Sequence, residues 1–328
     1  MRLESEVPPL PFTTPPALPG WLAALLPLRR GAYVLEHGLD ATRRIHFVDE
    51  GEREAPAVVM LHGNPAWCLL WRKVVAALPR CRCIAPDLLG LGLSSVLPSI
   101  ADHSIDRHAD ALVQLLDALA LPRYVLVGQD WGGPMLTAIG VRRPERVAGV
   151  VLANTAVVVP ERPRGTAFHR FARMPVLSDL VFRALPFPQA TMWAAQGDRR
   201  SLLRGPEAAA YRWPLRRRRD RIAPLALARM VPDGPDHPSM PALRRGQAWL
   251  EGFHGGGPAG PGGPMALVWG TRDPILGRAL RRHEAAFPRA PVTTTAAGHF
   301  LQEEVPRALA AAIEDVVARA APWGGPRE

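Results

Sequence analysis

A chain of 328 residues with a formal net charge of +10 is long enough for one large α/β domain, or a core with an inserted module, that needs no disulfide or metal to hold it. Its three cysteines, Cys68, Cys81 and Cys83, are odd in number, and Cys81-Arg82-Cys83 has neither redox nor zinc-site spacing, so reduced thiols and a cytoplasmic location are expected. Of the 40 basic residues only Lys73 is lysine, a bias that reflects GC-rich coding as much as phosphate contact. The densest run, Arg216-Arg217-Arg218-Arg219, lacks interleaved aromatics and any recognisable binding module, so it reads as a solvated face and no nucleic-acid partner is expected.

In chain order, residues 17–28 are the nearest approach to a targeting segment. Pro19, Gly20 and Pro27 interrupt them and Glu4 and Glu6 precede them, which makes a poor signal peptide. The apolar side of Trp21-Leu22-Ala23-Ala24-Leu25-Leu26 is expected to pack on the core surface, a weak interfacial anchor being the other reading. No run approaches the about 20 apolar residues of a membrane helix, so no stable membrane insertion is expected. Strands are then predicted at 57–61, 83–85, 124–128 and 147–153. Helices are predicted at 106–120, where Ala109, Leu112, Val113, Leu116 and Leu119 recur at helical spacing, and from just after Asp130 to about 142. Alternating strands and helices indicate a mostly parallel sheet with helices on both faces.

That rhythm stops after Asn154. The next hundred or so residues are rich in Arg and Pro, with helical fragments and no convincing strand, and end in a Gly/Pro run at 254–264 too irregular for an element. Strands resume at 266–269 and 292–295. The expected organisation is a first core part at 1–155, a helical lid at 156–256 and a second core part at 257–328, with no internal repeat.

The chemistry centres on Gly128-Gln129-Asp130-Trp131-Gly132, between a predicted strand and a predicted helix. In a turn of this form the apex residue takes a strained backbone and projects beyond the sheet, and its neighbours two before and two after must be small. The alternative is an ordinary aspartate capping a helix. Two partners favour catalysis, since Asp273 and His299 each follow one of the last two strands, in the order nucleophile, acid, histidine. Both fall at the carboxyl edge of the sheet, where ligands bind in open α/β folds. After the strand at 57–61 comes His62-Gly63-Asn64-Pro65. The loop in that position supplies a backbone N–H to an anion-binding hole, together with the N–H of the residue after the nucleophile, Trp131. Asn64 and Trp131 also carry side-chain donors, a turn-forming Asn64 and a packing Trp131 being the other readings.

A carboxylate at the apex suits displacement at saturated carbon, which leaves an ester on Asp130. Water activated by His299, with Asp273 orienting the ring, would then attack the Asp130 carboxyl carbon. His62 and Asp87 are read as loop braces, and Glu303 and Glu304 as less well placed than Asp273 to orient the histidine. Phe168, Phe171, Phe182, Trp193, Trp213, Trp249 and Phe253 are the bulky lid residues; no motif fixes their direction, and Trp193 is a further candidate contact to a leaving anion by residue type alone.

The words His62-Gly-Asn-Pro65, Asp87-Leu-Leu-Gly-Leu-Gly-Leu-Ser94, Gln129-Asp-Trp-Gly-Gly-Pro134, Trp269-Gly-Thr-Arg-Asp-Pro274 and Gly298-His-Phe-Leu-Gln-Glu303 resemble the haloalkane dehalogenases of the α/β-hydrolase superfamily. With Asn154 and no carboxylate near the end of the 147–153 strand, the pattern is similar to the third subclass. The resemblance implies an α/β-hydrolase fold and hydrolytic dehalogenation of small apolar halogenated substrates. It also implies catalytic Asp130, His299 and Asp273, a halide held by Asn64 and Trp131, and neither metal nor cofactor. The β-lactone decarboxylases, which release an alkene, share these motifs and are the alternative. Epoxide hydrolases need a pair of lid tyrosines, and only Tyr211 falls in the lid. A non-catalytic hydrolase-like binding protein would have no need of the Asp130, His299 and Asp273 set.

Overall fold

The computed structural model describes residues 11–198, 203–256, 262–320 and 322–323; part of the Gly/Pro run, residues 257–261, lies outside them. Nine strands form one sheet: β1 (Phe12–Thr13), β2 (Arg30–Val34), β3 (Arg44–Glu50), β4 (Ala57–Leu61), β5 (Arg82–Pro86), β6 (Tyr124–Asp130), β7 (Val147–Thr155), β8 (Met265–Gly270) and β9 (Val292–Thr295). Their spatial order is β1-β2-β3-β5-β4-β6-β7-β8-β9. The three strands at the β1 edge are antiparallel to their neighbours, and β5 through β9 run parallel.

Residues in the parallel strands alternate between two buried layers. In β4, Ala57, Val59 and Leu61 enter one layer and Val58 and Met60 the other; in β6, Tyr124 and Leu126 oppose Val125 and Val127. This period-two exchange within a continuous apolar run marks a strand covered on both faces. The helices Ile105–Ala118 and Gly132–Arg142 cover the first face through Leu112, Leu116, Met135 and Ile139, while Arg72–Ala76 and Pro306–Arg319 cover the second through Val74, Leu309 and Ile313. Gly20–Leu25 buries Leu22 in the second layer and leaves Trp21 outside.

The order of the strands gathers their carboxyl ends along one edge. Leu61 pairs with Gly128, Asp130 with Thr155, and Gly270 with Thr295, so the loops after β4, β6, β8 and β9 converge. Strand β6 runs two residues beyond the predicted end, because a register shift between Gln129 and Asp130 lets the apex residue still pair with β7. Between β7 and β8 the chain is helical, with Ala167–Ala172, Leu177–Ala184, Gly205–Arg212, Ala223–Met230 and Met240–Gly255. The last of these lies against Gly132–Arg142, where a Cβ at Gly140 would stand 2.2 Å from the Trp249 ring. Of the others, Ala167–Ala172 and Ala223–Met230 lie over the carboxyl edge, where Phe168 and Ala228 border the same space as Asp130.

Candidate active site

Asp130 ends β6 with φ of +52°, a left-handed backbone that is uncommon for a non-glycine residue and that clusters at functional sites. The turn is tight enough to exclude side chains around it. A Cβ at Gly132 would lie 1.9 Å from the Leu61 carbonyl oxygen, one at Gly128 2.6 Å from the Gly132 backbone, and one at Gly63 2.2 Å from Asp130 Oδ1. The apex is held from below by Thr155, whose Oγ1 donates to the Asp130 carbonyl at 2.6 Å. The small residues thus let β4, β6 and the following helix converge under a single projecting carboxylate.

Asp130 Oδ1 accepts the Asn64 backbone N–H at 2.8 Å, and Oδ2 lies 3.7 Å from His299 Nε2. The ring's other nitrogen, Nδ1, is 2.9 Å from Asp273 Oδ2, and Asp273 Oδ1 accepts Ile275 N–H at 2.7 Å. A carboxylate facing Nδ1 can only accept, so Nδ1 carries the proton and Nε2 presents a lone pair. Gln129 supports this tautomer. Its Nε2 sits 3.0 Å from His299 Nε2 and donates to the His299 carbonyl at 3.2 Å, an amide orientation that turns a donor toward the ring. Nothing in the local sequence assigns Gln129 a role. Alternation along β6 places its side chain on the face opposite Gly128, but only the fold shows that the histidine loop lies there.

Burial raises the Asp130 carboxyl pKa, and that effect exceeds the opposing pull of His299 and of the Asn64 and Trp131 backbone N–H groups. For His299, burial works against the charged form, but the Asp273 carboxylate with its hydrogen bond and the Asp130 charge outweigh it, so the imidazole lies above its usual value.

The two residues expected to form an anion hole also come together. Asn64 Nδ2 donates one hydrogen to the Pro224 carbonyl at 2.9 Å, leaving one over, and its Oδ1 is buried without a partner. Trp131 is nearly buried at the start of the helix Gly132–Arg142, and its indole N–H has no hydrogen-bond partner among the described residues. Both residues, with Asp130 and His299, line a cavity of about 430 Å³. The rest of the wall is mostly apolar: Phe168, Phe187, Met192, Val231, Leu243 and Phe300 are among its members. A pocket of this size, apolar with a few convergent polar groups, has the general form of a small-molecule site.

Of the seven bulky residues singled out between β7 and β8, only Phe168 reaches the cavity. Phe171 and Phe182 pack in an aromatic cluster with Phe187, and Trp249 and Phe253 stack on each other against the core. Trp193 is half exposed and outside the cavity wall, so it is not placed to contact an anion held there. Asn154 closes the end of β7 by accepting Gly270 N–H at 2.8 Å and donating to the Gly298 carbonyl at 2.7 Å, so it ties the acid and histidine loops together. His62 braces its loop through Gly63 O and Leu88 N–H.

Asp87 accepts N–H groups from Cys68 and Leu93 and lies 2.8 Å from His46 Nδ1. His46, Cys68 and Asp87 form the one buried group with metal-ligand chemistry among the described residues, but the aspartate's acceptor sites are already taken by these donors. Glu303 is bound by Arg72, by Lys73 at 2.9 Å and by the Tyr211 hydroxyl at 2.5 Å, away from His299. Tyr211 is thereby spent on an ion-pair network and does not line the cavity.

Residues 56–306 match the family model described as alpha/beta hydrolase fold. Over 282 residues the chain is 36% identical to haloalkane dehalogenase 2 of Mycobacterium tuberculosis, covering 84% of this chain and 92% of that one. The chain belongs to the haloalkane dehalogenase family. A second member, the haloalkane dehalogenase of Mycolicibacterium paratuberculosis, is 30% identical, covering 82% of this chain and 87% of its own length. Among solved structures, haloalkane dehalogenase DbeA from Bradyrhizobium elkani superposes with a TM-score of 0.73 at 25% identity, covering 89% and 99% of the two chains. The family is one of enzymes of the α/β-hydrolase fold, in agreement with the fold and class expected from the motifs.

Proposed function

We propose that the protein hydrolyses haloalkanes to alcohol and halide through an ester on Asp130. The observation that carries the reading is the carboxylate itself, projecting from a left-handed elbow into an apolar cavity with the His299–Asp273 pair beside it at 3.7 Å. Oδ1 is anchored by the Asn64 N–H, so attack falls to Oδ2. Its electron pair forms the bond to the substrate's saturated carbon as the carbon–halogen bond breaks and the halide leaves with that bond's electrons. The free hydrogen of Asn64 Nδ2 and the indole N–H of Trp131 stabilise the charge gathering on the halogen, a type of contact whose loss costs about 10²–10³ in rate.

In the second step water attacks the Asp130 carboxyl carbon while His299 Nε2 takes its proton. The backbone N–H groups of Asn64 and Trp131 stabilise the oxyanion, and Asp273 stabilises the imidazolium. Collapse of the tetrahedral intermediate breaks the bond between that carbon and the alkyl oxygen, and His299 returns a proton to the alcohol; the water's second proton, left on the Asp130 carboxyl, then passes to His299 and out to solvent, which regenerates the carboxylate. The helical segment between β7 and β8 serves as the lid, and its apolar wall selects a small hydrophobic substrate and excludes bulk water. No step calls for a metal or an organic cofactor.

The test is single turnover of a bromoalkane in heavy-oxygen water. The mechanism places the label in the Asp130 carboxylate and not in the first equivalent of alcohol; label appearing directly in the alcohol refutes it. A parallel incubation with a cis-disubstituted β-lactone, read as alkene and carbon dioxide, discriminates decarboxylation. Alkene without halide release from any haloalkane would overturn the dehalogenase reading.

A further inference from the structure

The helix Leu177–Ala184 is amphipathic in an unusual sense. Its inward face buries Ser178 and Phe182, with Phe182 packed against Phe168 and Phe187 at ring separations of 5.9 and 4.9 Å. Its outward face is apolar as well: Leu180 is 61% and the preceding Val176 79% exposed, and Met174, Leu177 and Leu185 extend the patch. A surface helix normally turns polar residues to water, and a contiguous exposed apolar patch marks an interaction site. Val176 presents its side chain from a left-handed backbone with φ of +63°, a conformation that disfavours β-branched residues.

Basic residues cluster at the carboxyl end of this helix. The 3₁₀ turn Arg218–Asp220 packs on this helix, and Arg221 donates to the Arg183 and Ala184 carbonyls at its carboxyl end. Arg183, Arg217 and Arg218 are exposed and have no ion pair among the described residues. The acids nearby are engaged, Asp179 by Arg229 at 2.8 Å and Asp220 by Arg219 at 3.8 Å. Apolar side chains flanked by free arginines complement an anionic interface, where the former enter the acyl boundary and the latter meet headgroups. A second copy of the chain fits less well, since a two-fold contact through this face would bring its own arginines together.

We propose that the outer face of Leu177–Ala184, with Arg183, Arg217 and Arg218 at its margin, docks the protein onto anionic lipid bilayers. Phe168 and Phe187, which Phe182 supports from beneath this face, line the cavity. On the haloalkane reading, docking therefore places the lid against the phase in which apolar substrate concentrates.

The test is co-sedimentation of the full chain with large vesicles of phosphatidylcholine, with and without phosphatidylglycerol, at low and high salt. The expected result is binding to the anionic vesicles alone, weakened by salt. Leu177→Ser/Leu180→Ser and Arg217→Ser/Arg218→Ser should each reduce it about tenfold or more, with unchanged thermal melting and unchanged halide release from a water-soluble haloalkane. Absence of binding to anionic vesicles overturns the proposal, as does binding that survives the leucine changes, which would be diffuse attraction to positive charge. A lipid-free dimer in sedimentation velocity that the leucine changes abolish would assign the face to a second copy and also overturn it. Vesicle binding does not depend on turnover, so intact binding with no halide release would refute the reaction and leave the docking face standing.

Discussion

Replacing Asp273 with asparagine separates the two chemical steps. Both carboxylate oxygens of Asp273 already face donors, Oδ2 the His299 Nδ1–H at 2.9 Å and Oδ1 the Ile275 N–H at 2.7 Å. An amide has only one oxygen to offer. If that oxygen stays with the histidine, the NH₂ group meets the Ile275 N–H, and a buried unsatisfied donor costs about 1–3 kcal/mol. If it turns to Ile275, the NH₂ group faces Nδ1 and moves the ring proton to Nε2, the atom that must accept a proton from water. General-base catalysis is worth about 10²–10⁴, and the same substitution in a serine triad, with its wrong tautomer, costs about 10⁴. The displacement step uses neither His299 nor Asp273 and proceeds. Asp273→Asn should therefore release one equivalent of halide per site in a burst close to the unmutated rate, followed by turnover slower by about 10³–10⁴. Rapid-quench halide measurement and intact mass, which should show an alkyl adduct on Asp130, read both phases. Steady-state turnover within tenfold of the parent, or no adduct, would refute the assignment of His299 to hydrolysis.

Asn64→Ala and Trp131→Phe should each slow the burst by about 10²–10³ while a preformed ester still hydrolyses, measured by quenched flow; an unchanged burst would remove them from the halide site. Asn154→Asp exchanges the donor to the Gly298 carbonyl for a buried charge facing it. It should destabilise the fold by roughly 3 kcal/mol at neutral pH and less in acid, and a urea midpoint that does not move would contradict this. Burial also holds His103 and His283 neutral, lowering each to about 4 from the ordinary 6.5. The unfolded chain takes up those protons first, so the stability is complete above about pH 6.5 and is lost as pH falls through the folded values. Each shift corresponds to roughly 3 kcal/mol. Urea midpoints should decline steeply between about pH 6.5 and 4, and His103→Gln should flatten part of that decline.

The elbow at Asp130 was legible because its constraints are local. Gly128 and Gly132 must be small, the strand and helix flank them directly, and each requirement is written within a dozen residues. Asp273 and His299 were legible for a related reason, since in an open parallel sheet a residue just after a strand has its edge fixed by chain direction. The predicted limits of β4 and β9 coincide with the observed ones. Residues whose meaning depends on distant chain were not legible. Arg72 and Tyr211 meet Glu303 across 231 and 92 residues, and no local pattern links them. Phe187 reaches the cavity while Phe182, five residues earlier, supports it from behind. Without a regular helix joining these two positions, periodicity could not tell wall from support. The antiparallel strands β2 and β3 at the sheet edge have mixed burial, so their sequences lack the continuous apolar runs that mark the parallel strands.

On the proposed mechanism, the charges in the site belong to a cycle in which each step prepares the next. In the resting protein burial leaves the Asp130 carboxylate less stabilised than it would be in water, and forming the ester removes that charge from a desolvated position. The Asp130 charge also contributes to raising the His299 pKa, so its disappearance lowers the imidazole's proton affinity when a neutral base is needed. Asp273, with its hydrogen bond, remains to stabilise the imidazolium that forms as water attacks. Regeneration of the Asp130 carboxylate restores the second negative neighbour. A separation of 3.7 Å between His299 Nε2 and Asp130 Oδ2 suits this exchange: it is too long for a direct hydrogen bond that would protonate the nucleophile, yet close enough for each group's charge to set the other's affinity.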